Sequence, residues 1–369
     1  MVCLHGRPLE VGNIFGSLLS RHVIHRVNEF HEQLARLCPG RINEKRVDEF
    51  YDLLEREAPH WIEEYEALAH AAGVEFRTLL TLNCAVPLTA IPSCTSALVL
   101  GGSSCRGLPL LLKVRDERFQ HQAMGYRRIR GTNGILFSTD VCNMGIGQGC
   151  NECGLAVANN SGGLVPAKPY PTGFNDCHIT RLLLERAGNV DEALEVFLHL
   201  QKQGKVGLVD GTRGMIFLLA DSRGKGLILE ASPDQAEFQR AEEGLFVWSN
   251  HWQLPGSGRF TPSVDPNNPL YKSSVLRYER GRELLKDKPV VHIEDLKLFS
   301  RDEKNRPDSI CNGSDAYPWR TVSVFIYELD TALSHPVHAA AGNPNRTPFQ
   351  ELPIWAEETP ESYLLDWRG

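Results

Sequence analysis

The sequence predicts an α+β protein in which antiparallel sheets follow a helical N-terminal segment. Three observations carry this expectation. The first ninety residues repeat their apolar positions at helical spacing, the texture changes at Cys94 to short apolar runs separated by glycine, and no regular βαβ alternation appears.

Val11, Ile14, Phe15, Leu18, Val23, Val27, Phe30, Leu34 and Leu37 recur at mostly three- and four-residue steps, which predicts one long amphipathic helix. A second apolar face runs through Val47, Phe50, Tyr51 and Leu54. Pro59 interrupts it, Trp61, Ile62, Tyr65, Leu68 and Ala69 resume it, and Gly73 offers a stop. From Cys94 onward, Ser96 to Leu100 and Leu108 to Val114 flank a glycine- and serine-rich turn and predict a β-hairpin. Gly145 to Gly149 and Gly154 to Asn159 repeat that arrangement around Asn151-Glu152-Cys153. Helices are expected over Ile179 to Ala187 and Val190 to Gln203, the second capped by Asn189. Strands return at Gly214 to Ala220, Gly226 to Glu230 and Leu245 to Ser249, and Leu270 to Leu298 is helical. Thr321 to Glu328 is the last clear strand, before Val337 to Ala341 and a Pro-rich tail; Pro255 to Pro269 reads as an exposed loop.

The 369 residues suffice for a large core, and a net charge of -7 gives no footprint for nucleic acid or an anionic membrane. Ten cysteines without a charged-then-apolar leader read as reduced thiols of a cytoplasmic protein.

Cys94 opens the strand-patterned region. If the Ser93-Cys94 bond broke, Cys94 would carry a free α-amine with a pKa of about 7.7 to 8.0, able to take the proton of its own thiol. A cysteine that starts a strand also fits a small buried apolar residue. Asp116 follows the second hairpin strand, where a carboxylate either faces solvent or, because the hairpin returns beside Cys94, orients the new amine. Lys113 or Arg115, just ahead of it, would favour a thiolate. Asn159-Asn160 and Asn250 each end an apolar strand, which suits a turn or a neutral oxyanion donor. His251 adjoins Asn250, but a nucleophile that supplies its own amine needs no histidine base. Cys150 and Cys153 have CxxC spacing without a second ligand pair, so they read as a hairpin turn holding two thiols. Ser257 and Ser263 lack nucleophile-elbow glycines, and Asp210-Gly211-Thr212-Arg213-Gly214 is a turn rather than a phosphate loop. No metal or bound cofactor is expected.

Together these pieces resemble the acyl-coenzyme A:isopenicillin N acyltransferase family, the penicillin acyltransferase-like branch of the N-terminal nucleophile hydrolases. The resemblance runs through Gly6 to Gly16, Leu80-Thr81-Leu82-Asn83, Cys94-Thr95-Ser96, Gly154 to Asn160, Trp248-Ser249-Asn250-His251, Ser309-Ile310-Cys311 and Arg320-Thr321-Val322-Ser323-Val324-Phe325. It implies a four-layer αββα sandwich made as a precursor and cut between Ser93 and Cys94. Residues 1–93 would form a small helical subunit retained by a catalytic domain of residues 94–369. It also implies Cys94 as nucleophile, Asp116 holding its amine, Asn250 as oxyanion donor, and Asn160 and Arg320 completing the site, with Asn159 the alternative to Asn160. The sequence departs from the family in having Ser93 where glycine is frequent before the nucleophile. The expected reaction is hydrolysis or transfer of an acyl group on a small amide, with a coenzyme A thioester possible as a substrate. An uncut binding scaffold of the same fold is the rival reading.

Overall fold

The computed structural model describes residues 1–37, 42–84, 93–118, 121–260, 265, 267–313 and 319–356. Pro92, Ser263 and the end of the Pro-rich tail lie outside the described residues.

The first element is a strand that the helical reading of the N-terminal segment does not contain, β1 (Val2–Gly6). Helices α1 (Pro8–Leu18), α2 (Ser20–Leu37), α3 (Glu44–Glu57), α4 (Pro59–Ala72) and α5 (Phe76–Cys84) follow. The expected single helix through Leu37 is broken at Leu19, whose backbone leaves the helical region at φ -111°, ψ 18°. Both halves keep their apolar spacing, so periodicity alone hides the break. Gly12 and Gly16 let α1 lie directly on α4: a Cβ at either would come within 1.9 Å of the Glu64 carbonyl oxygen or 2.4 Å of that of Leu68. Pro59 starts α4 and Gly73, at φ +72°, ends it, as their positions in the sequence suggest.

After Cys94 come β2 (Thr95–Leu100), β3 (Leu110–Glu117), β4 (Gln122–Ile129), β5 (Ile135–Asp140), β6 (Gln148–Asn151) and β7 (Leu155–Leu164). Helices α6 (Asp176–Arg186) and α7 (Val190–Lys202) precede β8 (Arg213–Asp221), β9 (Gly226–Ala231), β10 (Ala236–Ala241) and β11 (Gly244–Trp248). The chain continues through α8 (Pro269–Leu285), α9 (Ile293–Ser300), β12 (Arg320–Glu328), β13 (Val337–Ala340) and β14 (Gln350–Leu352). Asn189 caps α7 by accepting from the amides of Asp191 and Glu192, as expected.

The strands form an eight-stranded sheet ordered β1-β4-β5-β6-β7-β8-β9-β10 and a six-stranded sheet ordered β11-β2-β3-β12-β13-β14. All pairs are antiparallel except β1 with β4, which is parallel, so the first sheet is mixed rather than purely antiparallel. Strand alternation divides the apolar residues among three cores. Leu98, Leu111, Phe325 and Tyr327 of the small sheet meet Leu136, Ala158, Ile216 and Leu218 of the large one. On its other face the large sheet packs Phe137, Val157, Phe217 and Leu229 against α1 to α7. The small sheet turns Ala97, Val99, Leu112 and Val324 toward Leu285 of α8 and Leu296 and Phe299 of α9.

A buried ionic network joins the N-terminal helices to the large sheet. Glu64 of α4 accepts from Arg127 on β4 and, at 2.5 Å, from Arg181 on α6. Arg181 also donates to Glu185 at 2.7 Å, and the Trp61 indole and His60 reach the same carboxylate. Burial alone would raise Glu185, but Arg181 and His60 hold it down to about 2. Removing one member of such a network leaves an uncompensated buried charge. Glu64→Gln, which leaves Arg127 and Arg181 short of a counter-charge, is expected to cost about 3–5 kcal/mol. Urea unfolding of the variant beside the parent chain measures this.

Candidate active site

The hairpin places Cys94 one residue before the β2–β3 ladder, whose first pair is Thr95 with Val114. On the other side of β2, β11 runs antiparallel and ends with Trp248 opposite Ser96. Asn250 therefore lies just past the end of β11, at the same end of the sheet as Cys94. Cys94 is 4% exposed and Ser93 6% exposed, and the Ser93 hydroxyl has no hydrogen-bond partner among the described residues.

One guanidinium joins two of the expected residues. Arg277, on the buried stripe of α8, donates to the Cys94 carbonyl at 2.5 Å and the Thr95 hydroxyl at 3.0 Å. It donates also to Asn250 Oδ1 at 2.9 Å. The amide end of Asn250 is thereby turned away from the cation, and its Nδ2 donates to the Ser161 carbonyl at 2.8 Å. The Asn250 backbone N–H donates to Ser274 Oγ at 2.7 Å. Ser274 Oγ also bonds His251 Nδ1 at 2.7 Å. Burial, then the nearby Arg277 charge, push His251 down to about 4, so it is neutral near pH 7 and serves as a bracket for this loop.

Asn160 does not end a strand. Strand β7 continues through Ser161 and Gly162 to Leu164, and Asn160 sits inside it opposite Ile216. Its Oδ1 accepts from Lys113 Nζ at 2.6 Å and Ser96 Oγ at 3.0 Å, and its Nδ2 donates to the Ser249 carbonyl at 3.0 Å. Asn160 thus ties β2, β3 and the start of the Asn250 loop to the large sheet. Asn159, on the opposite face, donates to Thr180 of α6 at 2.9 Å. Strand alternation separates the two, and Asn160 is the one that joins the elements around Cys94.

Asp116 lies inside β3, fully buried rather than facing solvent. Its oxygens accept from Thr321 Oγ1 and Asn312 Nδ2, each at 2.7 Å. Burial pushes it up to about 6, against those two bonds and the charges of Arg277 and Lys113. Arg115 is also buried; burial opposes its charge, and Glu117, Cys177, Cys94 and Asp140 more than restore it. Arg320 begins β12 with Glu117 as its ladder partner, next to Thr321, which pairs with Asp116. The guanidinium that holds Cys94 and Asn250 belongs instead to Arg277. Sequence reading missed it, although a charged residue in the buried series Ser274, Arg277, Gly281 and Leu285 is a legible signal.

Cys150 is buried in β6 and Cys153 is exposed in the turn that follows, where Gly154 takes φ +87°; both are free thiols. Among the described residues no group of three or more His, Cys, Asp or Glu is arranged to hold a metal ion, and no helix is long and apolar enough to cross a membrane.

Cys94 thus stands at the head of β2, and Arg277 links its carbonyl to the side chain of Asn250. The profile of the acyl-coenzyme A:6-aminopenicillanic acid acyl-transferase family matches residues 132–336, more than half of the chain, and the chain belongs to that family. The matched span includes Asn160, Asn250, Arg277 and Arg320 and begins after Cys94 and Asp116, whose assignments rest on the residues and their geometry. No curated protein matches. Among solved structures, the chain is similar to a mutant of conjugated bile acid hydrolase from Clostridium perfringens: 12% identity, 72% of this chain and 95% of that one, TM-score 0.49. Penicillin V acylase from Agrobacterium tumefaciens is similar at 14% identity over 67% of this chain and 86% of that one, TM-score 0.40. An ortholog of N-acylethanolamine-hydrolyzing acid amidase from Caenorhabditis elegans is similar at 13% over 64% and 92%, TM-score 0.41.

Asp116 makes stability depend on pH in a stated direction. Its native pKa of about 6 lies above its ordinary value of 3.8, so the native state holds this proton more tightly. The stability it contributes is fully present below pH 3.8 and lost as pH rises through about 6. Urea midpoints of the parent and Asp116→Asn, taken from pH 4 to 7, are expected to show this decline in the parent and its removal in the variant.

Proposed function

We propose that the chain is a self-processing cysteine amidohydrolase of this family, which cleaves small N-acyl compounds through a Cys94 acyl-enzyme. The observation that carries the reading is the Arg277 guanidinium, which fixes the Cys94 carbonyl and the Asn250 side-chain oxygen at once. We read the three cores as an αββα stack, with residues 1–93 as the small subunit and 94–369 as the large one.

In processing, Cys94 Sγ attacks the Ser93 carbonyl carbon. The Ser93-Cys94 C–N bond breaks, the nitrogen takes a proton to become an amine, and Ser93 is left as a thioester on sulfur. Water then releases the Ser93 carboxylate and the thiol. Burial of both residues favours an intramolecular cut over one made by another protease. Asn83, at the end of α5, bonds the Cys142 carbonyl, the Met144 amide and His178, so the segment is anchored just ahead of the cut.

In turnover, the free α-amine takes the thiol proton, and the sulfur attacks the substrate carbonyl. One hydrogen of Asn250 Nδ2 is committed to Ser161, and the other is available to the developing oxyanion. Lys113 and Arg115 stabilise charge on the sulfur, and ionised Asp116 holds the amine once the cut has freed it. The amine passes its proton to the leaving nitrogen, and water hydrolyses the thioester. Arg320, near Asp116 through its strand partners, supports that end of the site. The family's name favours a second outcome, in which an amine acceptor replaces water and a coenzyme A thioester supplies the acyl group.

Intact mass and denaturing electrophoresis test the cut: the parent chain is expected to yield a fragment beginning at Cys94, and Cys94→Ala a single full-length species. A parent chain that never splits, or a Cys94→Ala chain that still splits, would sink the assignment. Arg277→Ala is expected to lower kcat on N-acyl amides by about a hundredfold, without rescue by Arg277→Lys, which cannot bridge both oxygens. Single-turnover kinetics on cleaved protein measure this.

A further inference from the structure

The two sheets end side by side at β10 and β11, and a groove opens between those edges and α8. It encloses about 530 Å³ and is lined by Leu245, Phe246, Val247 and Trp248 of β11, with Gln239, Gln253, Tyr278, Arg282 and Lys286. One wall is apolar. Opposite it, Tyr278 and Arg282 of α8 and Lys286, the residue that caps its C-terminus with helical backbone angles, stand four residues apart and so form one stripe.

Two side chains of this groove, Arg282 and Lys286, can only donate. The Gln253 Nε2 is buried with no hydrogen-bond partner among the described residues. Arg282 donates to the Tyr278 hydroxyl at 3.2 Å and lies over its ring; neither Arg282 nor Lys286 is in an ion pair among the described residues. The carboxylates near it are engaged: Glu283 with Arg280, Glu243 with the Gly102 amide, and buried Glu230 with the Trp248 indole and the Gln253 amide. In a chain of net charge -7, two unpaired cations and an unmet amide beside an apolar wall call for an anionic, acceptor-rich ligand with an apolar body. The inner end of the groove adjoins the proposed machinery, since Tyr278 follows Arg277 and packs on His251 at 5.5 Å, and Trp248 lies two residues before Asn250.

We propose that this groove binds single-chain anionic amphiphiles, a carboxylate or phosphate on an alkyl or acyl chain, and selects anionic acyl compounds as substrates. The selection of substrates rests on the reading of Cys94 given above; the binding itself does not.

Calorimetry on full-length Cys94→Ala with decanoate, decyl phosphate and neutral decanamide tests the binding. The two anions are expected to bind about tenfold more tightly than decanamide. That preference is expected to vanish in a further variant carrying Arg282→Gln and Lys286→Gln, and Gln253→Leu is expected to weaken all three. Tighter binding of decanoate or of decyl phosphate identifies the headgroup, and either upholds the groove. Equal binding of the three probes, or anion binding unchanged by the double substitution, overturns it. Turnover of N-decanoylglycine against N-decanoylglycinamide by the parent chain then tests selection. A KM advantage for the anion that the double substitution removes upholds it, and equal KM values overturn it. A chain that binds the anions and hydrolyses neither compound refutes the enzymatic reading and leaves the binding site standing.

Discussion

The antiparallel ladder of the six-stranded sheet is the constraint on which the candidate site depends. Strand β2 starts at the end where β11 finishes, β3 returns to that end, and β12 sets out from it. Cys94, Asn250, Asp116 and Arg320 come from distant parts of the sequence and reach one edge because strand direction alternates. A ladder shift of one residue would exchange the faces of Lys113 and Val114 and separate Lys113 from Asn160. The apolar pattern prevents that slip, since Leu111 is buried between the sheets while Leu112 is buried under the helices.

Charge in the site is arranged against burial. Lys113, Arg115 and Arg277 are all within 2% of full burial, in a chain whose overall balance is acidic. Each is held by oxygens: Lys113 by Asn160, Arg115 by Gln122 and Glu117, and Arg277 by Cys94, Thr95 and Asn250. Asp116 is drawn the other way, burial raising it to about 6. Arg277, a permanent cation held by three neutral oxygens, has little freedom to reorganise, which would suit the reaction proposed above.

The N-terminal helices, the hairpin after Cys94 and the strands β8, β9 and β12 were legible because their apolar spacing is strong and local. Strands β4 and β5 were not, since Gln122 to Ile129 carries two arginines and a glycine, and Arg127 is buried only because α4 brings Glu64 to it. The break at Leu19 was hidden by continuous spacing, and β1 is a short strand whose partner lies far along the chain. Cys94, Asp116 and Asn250 were named from the sequence because each sits where a strand begins or ends or a hairpin returns. Arg277 was not, because its role exists only where α8 crosses the head of β2. Asn160 does not end a strand as the sequence suggests: it lies within one and bonds Lys113 and Ser96.

The parallel strand β1 gives the N-terminal segment a duty unrelated to chemistry. By pairing with β4 it becomes the edge strand of the eight-stranded sheet, and the helices behind it cover that sheet's apolar face. A chain beginning at Cys94 and made alone would present a bare row of peptide groups beside exposed leucine, valine and phenylalanine, a surface that recruits strands from other molecules. The segment therefore completes the large sheet's core, and that face would be exposed without it.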